Sequence, residues 1–433
     1  MTRATPARHA ALAVLRRVAG GDLADRAFDA ETRHLPPRER AWVHELAYGT
    51  LRLRGRLDLL LAARVRGGLQ RLEPVVLDVL RLGAYQLLEM GSVPPYAAVS
   101  QAVELAREAG AARAAGLVNG VLQALRRAGA PQPPHGDALQ VLSGWGSHPA
   151  WLVERWLARW GEPETTALVE ANNRRPELYL RPLGVEAEDA LRRLHEAGIA
   201  AEPMPHFPDS LRLPPPTGAA EALAAVPAVV QDPAAAAVVR YAAVPPGAPV
   251  LDVCAAPGGK ALGLAERAGY VAAADLSLRR LQRVRENAQR LEMAGRLGLV
   301  VADARQPPFR PAAALLLDAP CTGTGTLRRH PDGRWRVQPA DLQALVALQR
   351  EILGASAGCV QPGGLLVYAT CSLEAEENEA QVDDFLERHP EFRLEPSPAD
   401  IDASLLDEQG RLSVLPQRAG VDGAFAARLR RAA

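Results

Sequence analysis

The sequence predicts a multidomain chain: an all-helical bundle over residues 1–130, a small α/β middle segment over 131–225, and an α/β domain with a mostly parallel, doubly wound sheet over 226–433. Three observations carry this. The first 130 residues repeat apolar positions at helical spacing. A proline-rich break, APQPPHGD, ends that pattern at 130–137. From 226 onward, near-continuous apolar runs alternate with amphipathic helical stretches, as in parallel strands covered on both faces. With 433 residues, 48% of them hydrophobic, the chain can fill more than one core.

Taken in order, ARHAALAVLRRVAGG stops at Gly20-Gly21, and RERAWVHELAYGTLRLRGRLDLLLAARV continues the helical spacing. EPVVLDVLRLGAYQLLEMG begins with proline in a first turn and ends at glycine. AAVSQAVELAREAG and AAGLVNGVLQALRRAG complete the bundle. The middle segment opens with the helical HPAWLVERWLARWGEPETTALVEANN. It continues through ELYLRPL, a helix at AEDALRRLHEAG, and the short strand-like pieces IAAEPMP and SLRLPPP. The last part reads strand and helix in alternation: APVLDVCAA, a helix from Gly259, GYVAAAD, LSLRRLQRVRENAQRLEM, LGLVVADA, AALLLDAP, DLQALVALQREILGASAGCV and GLLVYATCS.

Composition narrows the class. Four cysteines are too few for a disulfide framework and favour a reducing compartment. The N-terminal stretch carries arginines within its apolar pattern, and no run approaches eighteen apolar residues, so neither a signal peptide nor a membrane span is expected and the chain reads as cytoplasmic. Net charge is zero, yet residues 1–130 hold 19 Arg against 12 acidic residues, and 279–336 hold 12 against 5. Such segregation suits a polyanionic partner or an ordinary solvated surface. Among 50 basic residues Lys260 is the single lysine, which suggests that an arginine fork does not fit there.

Ligands of open parallel sheets bind beyond the carboxyl ends of the strands. Those ends carry Asp252-Val253-Cys254, Asp275, Asp303, Asp318 and Thr370-Cys371. In the first turn, CAAPGGK, Gly258 and Gly259 permit a tight bend and close ligand approach. Asp275, 23 residues after Asp252, suits a carboxylate on ribose hydroxyls. A structural turn or a dinucleotide enzyme would share some of these features, but GxGxxG is absent, and adenosine without a pyrophosphate fits better. No metal cluster with ligand spacing is evident.

Three stretches, VLDVCAAPGGK, LLLDAPCTGTGTLRRHPDGRW and LLVYATCSLEAEENEAQV, together resemble the S-adenosylmethionine-dependent RNA cytosine-C5 methyltransferases of the Sun/RsmB type. ELAYGTLRLRGRLD, LRLGAYQLL, VPPYAAVSQAVELAR and GLVNGVLQALRR resemble the NusB-like RNA-binding domain of the RsmB branch. HPAWLVERW and ANNRRPELYLRP resemble its middle segment, and QDPAAAAV its lead into the catalytic part. The resemblance implies a Rossmann-like methyltransferase domain that uses S-adenosyl-L-methionine. It assigns cofactor contacts to Cys254, Ala255, Ala256, Pro257, Gly258, Gly259, Lys260, Asp275 (ribose), Asp303 (adenine) and Asp318 (methyl end). For Lys260 an ion pair with a nearby carboxylate is an equal alternative. Cytosine C5 is a poor nucleophile, so the reaction needs a thiolate on C6, an acid near N3 and a base for H5. The family's nucleophile is the Thr-Cys cysteine, here Cys371; the Pro-Cys thiol, here Cys321, assists breakdown of the adduct, and Asp318 faces the cytosine edge. Cys254 and Cys359 read as small buried residues.

The implied substrate is 16S ribosomal RNA, free or in a partly assembled small subunit, with no DNA or membrane partner. A transfer-RNA cytosine, or a non-catalytic ribosome-assembly role, is the alternative; DNA methylation through Cys321 would need a target-recognition domain that the sequence lacks. Arg328, Arg329, Arg334 and Arg336, with His330 and Trp335, are expected to meet RNA, and Ser372 to cap a helix whose N-terminus favours the Cys371 thiolate. Two positions depart from the family pattern: Thr322 stands for a serine, keeping the hydroxyl, and Ala424 for an aromatic.

Overall fold

The amphipathic stretches and the apolar runs sort into two units in the computed structural model, which describes residues 3–433. One unit comprises the chain up to Arg174 together with Leu327–Arg336; the other comprises Arg175–Thr326 and Val337–Ala433.

The first unit is helical: Pro6–Ala19, Ala24–Thr32, Pro37–Arg52, Arg54–Ala62, Pro74–Leu88, Pro95–Ala106, Ala115–Arg127, Ala138–Gly144 and Ala150–Asn173. Four of these start on proline, whose fixed φ suits a first turn and whose missing N–H costs nothing there. Their inward faces, including Val14, Leu46, Leu57, Leu61, Leu80 and Leu122, form one fully buried core. The last long helix breaks at Gly161, where φ is +75°, ahead of Pro163.

Residues 327–336 belong to this helical unit, and Arg334 is why they are held so firmly. Its guanidinium is wholly buried. It donates to the carbonyls of Arg52 (3.0 Å), Ser147 (3.0 Å), Asn172 (3.1 Å) and Leu327 (3.2 Å) and to Asn173 Oδ1 (2.9 Å). Beside it, Trp335 Nε1 donates to Leu51 O at 2.7 Å, and Arg54 lies 5.1 Å over the Trp335 ring. The expectation that this stretch presents arginines and a stacking ring to RNA is corrected accordingly. Arg328 and Arg334 are buried, Arg329 and Trp335 are half-buried, and only His330 and Arg336 stand exposed. A guanidinium with five N–H donors is equally suited to a cluster of backbone carbonyls, and local composition does not distinguish the two uses.

The second unit holds two sheets. The smaller has β1 (Leu178–Pro182), β2 (Glu202–Pro203), β3 (Leu211–Leu213) and β4 (Ala228–Val230) in the antiparallel order β2-β3-β1-β4. Helices Ala187–Glu196 and Ala219–Ala225 share its core with Leu180, Leu211 and Leu213. The larger comprises β5 (Pro249–Asp252), β6 (Tyr270–Asp275), β7 (Leu297–Val301), β8 (Ala312–Asp318), β9 (Val360–Thr370), β10 (Phe392–Leu394), β11 (Leu412–Val414) and β12 (Ala424–Arg431). Its order is β10-β12-β9-β8-β5-β6-β7, with β11 also on β12.

Strands β5 to β9 are parallel, and β12 runs antiparallel to β9, β10 and β11. Because side chains alternate along a strand, Val250, Leu316 and Val367 enter one core while Leu251, Leu315, Leu317 and Tyr368 enter the other. Both faces are thus covered, as the apolar runs predict. From β5 the chain winds outward through β6 and β7, then returns to the other side of β5 as β8. The switch point therefore lies between β5 and β8, with Asp252 and Asp318 at its carboxyl ends. Among the described residues no helix is long and apolar enough to cross a membrane.

Candidate active site

The sheet sets the site by ending five neighbouring parallel strands at one edge. After β5 the chain turns through Cys254–Gly258 into helix Gly259–Leu264. Gly258 adopts φ +107°, and a Cβ there would sit 2.9 Å from the Val284 methyls, so glycine is required on both counts. Ala255 N donates to Ala274 O at 2.8 Å, which ties this turn to β6. At the end of β6, buried Asp275 accepts from Ser277 N at 2.9 Å and Ala256 N at 3.3 Å and pairs with Arg280 at 3.2 Å. Asp303, past β7, is half-buried and gripped by the fork of Arg305, which holds its carboxyl below the usual range.

Asp252 is the residue the sequence reading placed at the edge without giving it a role. It is fully buried, and neither carboxylate oxygen finds a hydrogen-bond partner of good geometry. Burial, and then the charge of Asp318, push it up to about 8 against the opposing pull of Lys260. Cys254 is driven well up by burial and by Asp252, Asp318 and Asp275, so it stays a neutral thiol. Orphaned acceptors in a buried, glycine-lined turn are what a ligand with an ammonium group would satisfy. The ribose-bearing end of such a ligand has Asp275 one strand away. The residues present thus fit S-adenosylmethionine, whose methionine tail carries the cation and whose adenosine carries the hydroxyls.

Lys260 and Asp318, both expected as cofactor contacts, are paired with each other, Nζ to Oδ2 at 2.7 Å. Burial works to discharge Lys260, but Asp318, followed by Cys371 and Asp252, outweighs it and holds the ammonium above its ordinary value. Cys321 and Cys371 lie with their sulfurs 3.4 Å apart, fifty residues apart in the chain. The contact with Cys371, burial and the charge of Glu377 all raise Cys321, which remains protonated. Cys359 is buried and away from this cluster, donating to Phe309 O.

The loops carrying the two thiols are laced together. Gly325 N donates to Cys371 O (2.9 Å), Leu373 N to Thr324 Oγ1 (2.8 Å) and Ala319 N to Ala369 O (2.8 Å). Ser372 does not cap an α-helix, a second correction. Its hydroxyl accepts from Glu374 N at 3.0 Å, a short 3-10 turn Ala375–Glu377 follows, and the next helix, Glu379–Arg388, begins after Asn378. A serine bonding two residues ahead makes a tight turn as readily as a cap. Glu377, which the sequence analysis did not single out, is wholly buried behind the two thiols.

With this geometry in hand, comparison with known proteins is informative. The family model described as 16S rRNA methyltransferase RsmB/F matches residues 243–430, the NusB family model matches 5–127, and an RsmF/B-like ferredoxin-like domain matches 148–219. A probable ribosomal RNA small subunit methyltransferase B of Synechocystis sp. is 36% identical, covering 98% of this chain and 99% of that protein. The ribosomal RNA small subunit methyltransferase B of Vibrio cholerae is 37% identical over 96% and 95%. Among solved structures, the crystal structure of PH0851 superposes with a TM-score of 0.80 at 27% identity over 99% of both chains. NSun6 from Pyrococcus horikoshii, solved with SFG, shares the fold at a TM-score of 0.57 and 22% identity, covering 66% of this chain and 98% of its own.

Proposed function

We propose that this chain, which belongs to the 16S rRNA methyltransferase RsmB/F family, methylates C5 of a cytosine in small-subunit ribosomal RNA through a covalent bond between Cys371 and C6 of the base. Family membership makes it an S-adenosylmethionine-dependent methyltransferase with an RNA substrate. The observation that carries the finer reading is the pair of thiols 3.4 Å apart beside the Lys260–Asp318 ion pair.

Thiolate addition to C6 makes C5 electron-rich enough to be alkylated, and the Lys260 ammonium is the nearby cation that favours a Cys371 thiolate. S-adenosylmethionine, when bound, supplies the methyl group on a positively charged sulfur. Lys260 as donor and Asp318 as acceptor together match the N3 and amino edge of cytosine. Cys321, kept protonated, can donate a hydrogen bond to the Cys371 sulfur as the adduct breaks down. The target base has to leave its stack to reach these groups, at a cost of a few kcal/mol that a loop or bulge reduces. Single-stranded RNA, met in a reducing cytoplasm, is the substrate we expect.

The test incubates full-length wild type, Cys371→Ala and Cys321→Ala with S-adenosylmethionine and small-subunit RNA, and reads 5-methylcytosine and covalent protein–RNA bands. Cys371→Ala should give neither product nor band, and Cys321→Ala should accumulate the band. The reverse pattern would make Cys321 the nucleophile and overturn the assignment.

A further inference from the structure

Behind the two thiols a single buried carboxylate grips the residue that follows one of them, and that residue touches the one that follows the other. Thr322 follows Cys321 and Ser372 follows Cys371. Glu377 Oε1 accepts from Thr322 N at 2.8 Å and from Gln349 Nε2 at 2.9 Å. Its Oε2 accepts from the Thr322 hydroxyl, which lies 3.2 Å from the Ser372 hydroxyl. The Glu377 carbonyl in turn accepts from Tyr368 Oη at 2.6 Å. Gln349 completes the clamp by donating to Pro320 O at 2.9 Å, so Cys321 is held from both flanks.

Burial pushes the Glu377 carboxyl up, and three donors, Thr322 N, the Thr322 hydroxyl and Gln349 Nε2, oppose it by favouring the ionised, acceptor-only form. Burying such a charge is costly unless donors surround it, and this one has them. A glutamine would turn its NH2 toward at least one of the same donors, and an apolar residue would release Thr322. Through Gln349 the helix Pro339–Ala357 holds both the Pro320 carbonyl and this carboxylate.

We propose that Glu377 is a positioning residue for methyl transfer: by holding Thr322 against Ser372 it fixes the spacing of the Cys321 and Cys371 sulfurs. The proposal rests on the reading of these cysteines given above. Its charge acts in the same direction, because it helps keep Cys321 a thiol while Lys260 faces Cys371. One residue thus both aligns the two sulfurs and differentiates them.

The test compares full-length wild type with Glu377→Gln, Thr322→Val, Thr322→Ser and Cys371→Ala, measuring S-adenosylmethionine affinity, RNA KM, kcat and covalent band. For Glu377→Gln kcat should fall about 100-fold, as when a reacting group is displaced by about 1 Å. RNA KM and cofactor affinity should stay within about threefold, the signature of an interaction used only in the transition state. Thr322→Val, which deletes only the hydroxyl arm, should lose about tenfold in kcat, and Thr322→Ser should recover most of that loss. The proposal is overturned if kcat stays within about threefold of wild type in both Glu377→Gln and Thr322→Val, or if KM and cofactor affinity worsen in step with kcat, as for a merely structural group. If Glu377→Gln does not fold, the valine–serine pair decides. A Cys371→Ala protein that still forms the band would instead condemn the cysteine assignment.

Discussion

Asp252→Asn should stabilise the cofactor-free protein while weakening its hold on the cofactor. The wild-type carboxyl is buried without a well-aligned hydrogen bond and lies at about 8 instead of 3.8. Between those values the folded protein retains a proton that the unfolded chain has released, so stability falls as pH rises from about 4 to about 8 and is level above. Four units at about 1.4 kcal/mol each set a ceiling of about 6 kcal/mol on the cost of the ionised form. Relaxation and water entry lower that figure, and we expect asparagine, which keeps the shape without the charge, to gain at least about 2 kcal/mol at pH 8.5. The gain should shrink steadily toward pH 5. Urea unfolding followed by circular dichroism at pH 5, 7 and 8.5 reads it, and calorimetric titration with S-adenosylmethionine should show at least about tenfold weaker binding, equivalent to one lost charged hydrogen bond. A variant less stable than wild type at pH 8.5, or a difference that does not change with pH, would refute the account of a strained, ligand-awaiting carboxylate.

Gly258→Ala meets both a left-handed backbone, about 1–2 kcal/mol, and a clash with Val284 of similar or larger size, so a loss of about 2–4 kcal/mol in thermal or urea unfolding is expected, with cofactor affinity falling alongside. A variant as stable as wild type would show that the turn has another conformation open to it. Arg334→Met removes the donor shared by four carbonyls and Asn173 and should destabilise the helical unit by about 3–5 kcal/mol. Trp335 lies next to the change and Trp fluorescence reports it; a shift under about 0.5 kcal/mol would mean that water replaces the guanidinium without loss.

The parallel strands were legible because each is a short apolar run ending in aspartate or Thr-Cys, and the bundle because its leucines recur at helical spacing. The antiparallel strands β10 to β12 were not. AFAARLRR hides its sheet pairing behind arginines that turn to carbonyls and carboxylates, as Arg428 does to Tyr241 O and Glu395. Both cysteines could be singled out by their neighbours, whereas Glu377 could not. It stands in a run with Glu374, Glu376 and Glu379, and only the turn that follows Ser372 decides that Glu374 and Glu377 are the buried ones. Arg334 was misread for the same reason: charge pattern marks what a residue can bind, and the surrounding fold decides whether that is solvent, RNA or the backbone.

The detour of Leu327–Arg336 into the helical unit also orders events during synthesis. The carbonyls of Arg52, Ser147 and Asn172 receive their donor only when residue 334 has been made, about 160 residues after the last long helix is complete. At about 5–20 residues per second the nascent helical unit waits about 10–30 s with that socket open. For the same reason the stretch 226–433, made alone, carries Arg334 with the Leu327 carbonyl but without its acceptors at Arg52, Ser147, Asn172 and Asn173. The two units share no single cut point in the chain, so recombination or truncation that treats the second as a detachable cassette removes the piece that finishes the first.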